Sequence, residues 1–279
     1  TLSLHDALPI SPMFEPIATL PIEELRQRWQ RCRTALAETR PEAGGLLVFT
    51  RLHIYYLTGT LGQGCLWLPM HGEPVLAIRK GLERARLESA MDNVAAFKSF
   101  KELPGLAADA GVPLPPTVAA ETSGLSWQLG EMLKSRLDGV AFVPGDQALA
   151  LARSVKTPLE LDLLREAGRR HHQCLFHDLP ARIRPGMSER DVAVACWDVF
   201  FAAGHHGMMR MNAFGEEIFL GHVAAGDSGN YPSAFNGPLG LRGTHPAAPY
   251  MGNAERIWEP GQVLSCDVGF QRAGYHTDK

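Results

Sequence analysis

The sequence has no run of basic residues, and its 27 lysines and arginines against 30 aspartates and glutamates leave a formal net charge of −3. Nucleic-acid and anionic-membrane binders need a concentrated positive field, so neither partner is expected. No window reaches the roughly 18 uncharged apolar residues of a membrane-spanning helix, and the first residues lack the basic segment and apolar run of a secretory signal. Cysteine is sparse: five residues, at 32, 65, 174, 196 and 266, odd in number, widely spaced and without a paired ligand pattern. That argues against a disulfide framework and for reduced, mostly buried thiols in a cytoplasmic setting. Internal repeats and low-complexity tracts are also absent, which excludes a solenoid.

What is present is a 279-residue chain with 45% hydrophobic residues, enough for two moderate cores. Residues 1–12 are expected to be an artefactual or disordered leader, since Thr1 to Ile10 resembles translated sequencing-adapter DNA and Met13 reads as nearer the true start. Residues 13–150 are expected to form an α/β domain. Leu25, Trp29, Cys32 and Leu36 share a helical stripe, and apolar runs at Leu46 to Phe49, Cys65 to Leu68 and Pro74 to Ile78 read as strands. A strand at Thr117 to Glu121, a helix at Leu125 to Leu137 and a strand at Ala141 to Val143 follow, with the boundary near Ala148 to Lys156.

Residues 151–279 read as helices followed by strands. Thr157 is placed as N-cap, Pro158 as the first helical residue and Glu160 as the closing member of a capping box. Ser188 caps a second helix whose Val192, Cys196, Val199, Phe200 and Ala203 keep helical spacing until Gly204 stops it. Asp227 to Pro238 is too polar and turn-rich for an element interior and reads as a surface loop.

The segment from Cys266 to Asp278 reads as a β-hairpin. With Arg272-Ala273 as the turn, Asp267 faces Asp278 and Gly269 faces His276, and alternation puts Asp267, Gly269, His276 and Asp278 on one face. Val268, Phe270, Tyr275 and Thr277 then form an apolar face. Facing carboxylates with β-carbons about 5 Å apart repel unless a cation or a shared proton lies between them. An Ala273-Gly274 turn keeps both Asp on one face as diagonal neighbours, whereas a three-residue loop separates them. An ordinary solvent-facing Asp pair is the competing reading.

Asp267-x-Gly269 with Gly274-Tyr275-x-x-Asp278, preceded by Glu259-Pro260-Gly261-Gln262-Val263-Leu264, resembles the metal-binding signature of the pita-bread metallopeptidases: Xaa-Pro aminopeptidase, prolidase, methionine aminopeptidase and creatinase. Thr157-Pro158-x-Glu160 and Arg184-Pro185-Gly186-Met187-Ser188 resemble the helix starts of their catalytic domain. His53-Ile54-Tyr55-Tyr56-Leu57-Thr58-Gly59 resembles the amino-terminal domain of the Xaa-Pro and creatinase branch.

The resemblance implies a creatinase-like α/β N-terminal domain followed by a partial α+β pita-bread domain, and hydrolysis of the bond before proline. Two divalent ions (manganese, cobalt, zinc or iron) are the implied cofactors, with Asp267 and Asp278 as ligands. One further His and two Glu of the family's ligand set lie beyond Lys279, so the chain is expected to be truncated. His245 takes the catalytic role of a histidine that stabilises the tetrahedral intermediate, and His222 and His276 are substrate-binding candidates. The expected partners are a peptide or small amide substrate and a second copy in a homodimer. Creatinase-like C–N hydrolysis or a lyase reaction, kept open by Phe235 in the loop after Ser228-Gly229-Asn230, is an alternative, as is a catalytically silent peptide-binding module.

Overall fold

The computed structural model describes residues 14–17, 20–210, 217–233, 239–247 and 252–279. The expected leader at 1–12, and Phe235 with its loop neighbours, lie outside them. Two compact units divide between Val155 and Lys156.

The first unit runs α1 (Ile22–Thr39), β1 (Gly45–Val48), α2 (Arg51–Thr58), β2 (Gln63–Pro69), β3 (Val75–Lys80), α3 (Leu82–Glu88), β4 (Val94–Ala96), α4 (Leu103–Asp109), β5 (Thr117–Ala120), α5 (Trp127–Arg136), β6 (Ala141–Pro144) and α6 (Asp146–Ser154). Its strands form one mixed sheet in the order β4-β3-β2-β1-β5-β6, with β1-β2 and β2-β3 antiparallel and β3-β4, β1-β5 and β5-β6 parallel. Leu25, Trp29, Cys32 and Leu36 of α1 are all buried, as their stripe requires. The Trp29 indole donates to the Leu57 carbonyl at 2.7 Å, and the wholly buried Arg28 is satisfied by Glu24 at 2.7 Å and the Tyr56 carbonyl at 2.9 Å. The stretch where a boundary is expected is largely helix α6, because Ala148, Leu149 and Ala152 give it a short buried stripe that its length hides.

One polar cluster crosses this core. Glu121 is fully buried and accepts from the Phe49 and Thr50 amides at 2.7 and 2.8 Å, and from the Thr50 hydroxyl and His53 Nδ1 at 2.5 Å each. Burial alone would raise its pKa, but these donors, His53 foremost, outweigh it and hold the carboxyl below its usual range.

The second unit opens with α7 (Pro158–Gln173), continued by a π-helical turn at Cys174–Asp178, then α8 (Glu189–Ala202). The expected capping box of Thr157 with Glu160 forms, Ser188 caps α8 as expected with Asp191 completing a second box, and Gly204 ends α8 in a left-handed conformation, φ 89°. The strands are β7 (Met208–Arg210), β8 (Glu217–Phe219), β9 (Gly221–Ala225), β10 (Leu264–Arg272) and β11 (Tyr275–Asp278). β9, β10 and β11 make an antiparallel sheet with β10 central, and β7 pairs with β8. Val268 and Phe270 of β10 pack with Ala167, Cys196, Val199 and Phe200 into the core between sheet and helices. No helix among the described residues is long and apolar enough to cross a membrane.

Replacing Thr157 by alanine removes the hydroxyl that caps α7 by accepting from the Glu160 amide, while the residue 157 amide still donates to the Glu160 carboxylate. The expected cost is about 1–2 kcal/mol, read as a lower urea midpoint at unchanged m-value.

Candidate functional site

The hairpin turn is Ala273-Gly274, not Arg272-Ala273: β10 and β11 pair Gly269 with Asp278, Phe270 with Thr277, Gln271 with His276 and Arg272 with Tyr275. Ala273 and Gly274 both have positive φ, 48° and 82°, the twist of a type I′ turn that matches the strands it joins. This corrects the facing-pair register. Asp267 lies diagonal to Asp278, with roughly 7–8 Å between diagonal positions where a facing pair has about 5 Å. The shift is two residues, so parity survives, and Asp267, Gly269, His276 and Asp278 still share one face. The same register sets Gln271, not Gly269, opposite His276.

On the other side of β10 the pairing sets Asp267 directly opposite His222 of β9. The candidate face thus carries two carboxylates and two imidazoles. Burial raises the pKa of Asp267, the negative charge of Asp278 raises it further, and His222 works against both. His222 is pushed down by burial and partly restored by Asp267, and burial also lowers His276. His245 stands apart in character: it is exposed on a loop, and its Nδ1 accepts from the Ala247 amide at 3.1 Å.

Helix α7 holds the opposite face of the hairpin. The Tyr275 hydroxyl donates to Glu160 Oε1 at 3.1 Å, so Tyr275 is a tether as well as a packing residue. The Thr277 hydroxyl donates to the Phe270 carbonyl and accepts from His171 Nδ1 at 3.0 Å. His171 belongs to a histidine-rich stretch with the look of a ligand cluster, yet it is fully buried against Phe200 and Phe270. His205 is buried too, and its Nδ1 accepts from the Gln271 amide at 2.8 Å. These positioning contacts have no spacing signature, because their partners lie far apart in the chain.

The neighbour of Gly269 on the face, Met209, was also invisible to spacing. Gly269 is glycine for a steric reason: a Cβ there would overlap the Sδ and Cε atoms of Met209, which lies on that point from β7. Met209 is 7% exposed, whereas its neighbour Met208 is 48% exposed.

The donor chemistry fits part of a divalent-metal centre. Two carboxylates on one face, one pushed toward its protonated form by burial and then by the other's charge, present the hard oxygens that manganese, iron, cobalt or zinc accept, with imidazole nearby. Among the described residues no three His, Cys, Asp or Glu side chains gather as a complete ligand set.

A family model described as Creatinase/Prolidase N-terminal domain matches residues 28–155, and one described as Metallopeptidase family M24 matches residues 162–279. No curated protein matches the chain in sequence. Among solved structures it resembles dipeptidase PepE from Mycobacterium ulcerans, 21% identical with a TM-score of 0.67, covering 93% of this chain and 64% of that one. It also resembles the Xaa-Pro dipeptidase from Bacillus anthracis, 19% identical with a TM-score of 0.70, covering 91% and 63%. A third likeness is prolidase from Pyrococcus furiosus, 20% identical with a TM-score of 0.66, covering 89% and 68%. At these identities the likeness establishes the fold, and the chain spans less than two-thirds of the first two proteins.

Burial holds His171 down at about pKa 4, and burial lowers His205 as well. Between about pH 6.5 and pH 4 the unfolded chain therefore binds more protons than the folded one, and stability is expected to fall as pH drops through that window. Urea midpoints at pH 7, 6 and 5 check this. The variant His171→Phe, which keeps the ring packing, is expected to show a shallower decline; an identical slope contradicts the assignment.

Proposed function

The chain belongs to the pita-bread metallopeptidase family M24, with a creatinase/prolidase N-terminal domain, and on that premise we propose a metal-dependent hydrolase of the Xaa-Pro peptidase type. The observation that carries the reading is the shared face of Asp267 and Asp278, with His222 paired against Asp267. Two divalent cations, when bound, would lower the pKa of the attacking water and polarise the scissile carbonyl. The chain's own residues hold and surround that chemistry.

Asp267 and Asp278 are the two carboxylate ligands. Standing as diagonal neighbours on one face, they would hold divalent ions between them. His222 stands across from Asp267, kept neutral by burial, and is assigned to the substrate as a hydrogen-bond partner. His276 shares the face and takes a second substrate contact. His245, exposed, is the proposed stabiliser of the tetrahedral intermediate. The substrate class is a peptide with proline after the cleaved bond, and a cytoplasmic homodimer is the proposed working form.

The test uses the product of the intact gene. Metal analysis is expected to find bound divalent ions, and Asp267→Asn to lower the stoichiometry by at least one ion per chain while far-ultraviolet dichroism is unchanged. Assay on Xaa-Pro dipeptides is expected to show cleavage that Asp267→Asn reduces by more than about 100-fold, the scale of removing an ion that activates water. Unchanged metal content in the variant would sink the ligand assignment, and turnover of creatine without turnover of Xaa-Pro would replace the peptidase reading.

A further inference from the structure

We propose that Met209 is a specificity-determining residue whose thioether forms the apolar wall beside the carboxylate pair and limits the size of the substrate side chain admitted there. The inference rests on the peptidase reading above. Gly269 lies two residues along β10 from Asp267, directly opposite Asp278, and on the same face as both. Lacking a side chain, it leaves a hollow in that face at the level of the carboxylates. Met209 fills the hollow from a strand elsewhere in the sequence, with its Sδ and Cε where a Cβ of residue 269 would stand.

The choice of residue matters chemically. A methionine side chain is unbranched, polarizable and without a strong donor, so it offers packing surface that adapts to a neighbour. Its thioether is a soft ligand and competes poorly with carboxylate oxygen for a hard divalent ion. Met209 is therefore a wall and not a metal ligand. Any substrate side chain flanking the scissile bond has to share the volume over Gly269 with it. A methylene more or less in such an apolar contact changes discrimination by roughly 10–200-fold.

The experiment measures kcat/KM for Ala-Pro and Phe-Pro, with bound metal quantified, in the metal-loaded product of the intact gene and its Met209→Ala and Met209→Leu variants. The alanine variant is expected to raise the Phe-Pro to Ala-Pro ratio by about tenfold or more with metal content unchanged, and the leucine variant to keep the ratio within about threefold. Met209→Val carries the same expectation at smaller amplitude if the alanine variant does not fold. A uniform loss on both substrates, or loss of metal, overturns the wall. A wild type that cleaves neither dipeptide overturns the peptidase reading and the wall with it. A second readout is independent of turnover: the Cε methyl resonance of Met209, identified by its disappearance in Met209→Leu, is expected to shift when a reduced-amide analogue of Phe-Pro is added. An unmoved resonance at saturating analogue also overturns the proposal.

Discussion

Helix Pro158–Gln173 grips the carboxylate-bearing hairpin through the side chains that face away from the carboxylates. Glu160 and His171 are 11 residues apart, close to three full turns, so they project from nearly the same side of the helix. One binds Tyr275 and the other Thr277, alternate residues of a single strand. Because a strand throws successive side chains to opposite faces, holding Tyr275 and Thr277 against the helix obliges His276 and Asp278 to point the other way. The placement of the acidic face is thus decided by the packing face, and Phe270, fully buried beside His171, secures the neighbouring strand by the same means.

This explains which parts of the site were legible in the sequence. Face membership depends only on parity, and parity follows from alternation together with any two-residue turn. Register depends on which two residues turn, and here the local signals conflicted. Ala273 takes a positive φ that a non-glycine residue enters at a cost, and the turn forms because Gly274 supplies the second positive φ and the flanking strands demand the type I′ twist. The capping box of Thr157 with Glu160 was legible for the opposite reason: cap, proline and acid all lie within four residues, so the interaction is written locally. Helix Asp146–Ser154 fell below the length at which periodicity separates a helix from a linker. Met209 on Gly269, and His205 on the Gln271 amide, join positions about 60 residues apart, and no spacing rule reaches that far.

The carboxylates of the chain differ in how their charge is met, and that difference separates scaffold from candidate site. Glu121 is buried yet stays below the usual carboxylate range because four donors converge on its two oxygens. Glu189 is buried as well, and the amides of Ala225 and Asn253 satisfy it at 2.8 and 2.9 Å. In both cases the protein supplies positive dipoles from its own backbone, and the acid serves as a strut.

Asp267 is treated in the contrary way. It is half-buried, a second carboxylate shares its face, and among the described residues no hydrogen-bond donor is directed at its oxygens. Evolution toward stability alone would remove one acid or add a donor, since an unmet partly buried charge costs free energy and a change to Asn or Ser would relieve it. Leaving that demand only partly met, by His222, suits the proposed role in which a cation from solution meets the rest. On the proposed reading a cation would meet both carboxylates at once, and the repulsion between the two acids, which opposes their ionisation, would then favour its binding.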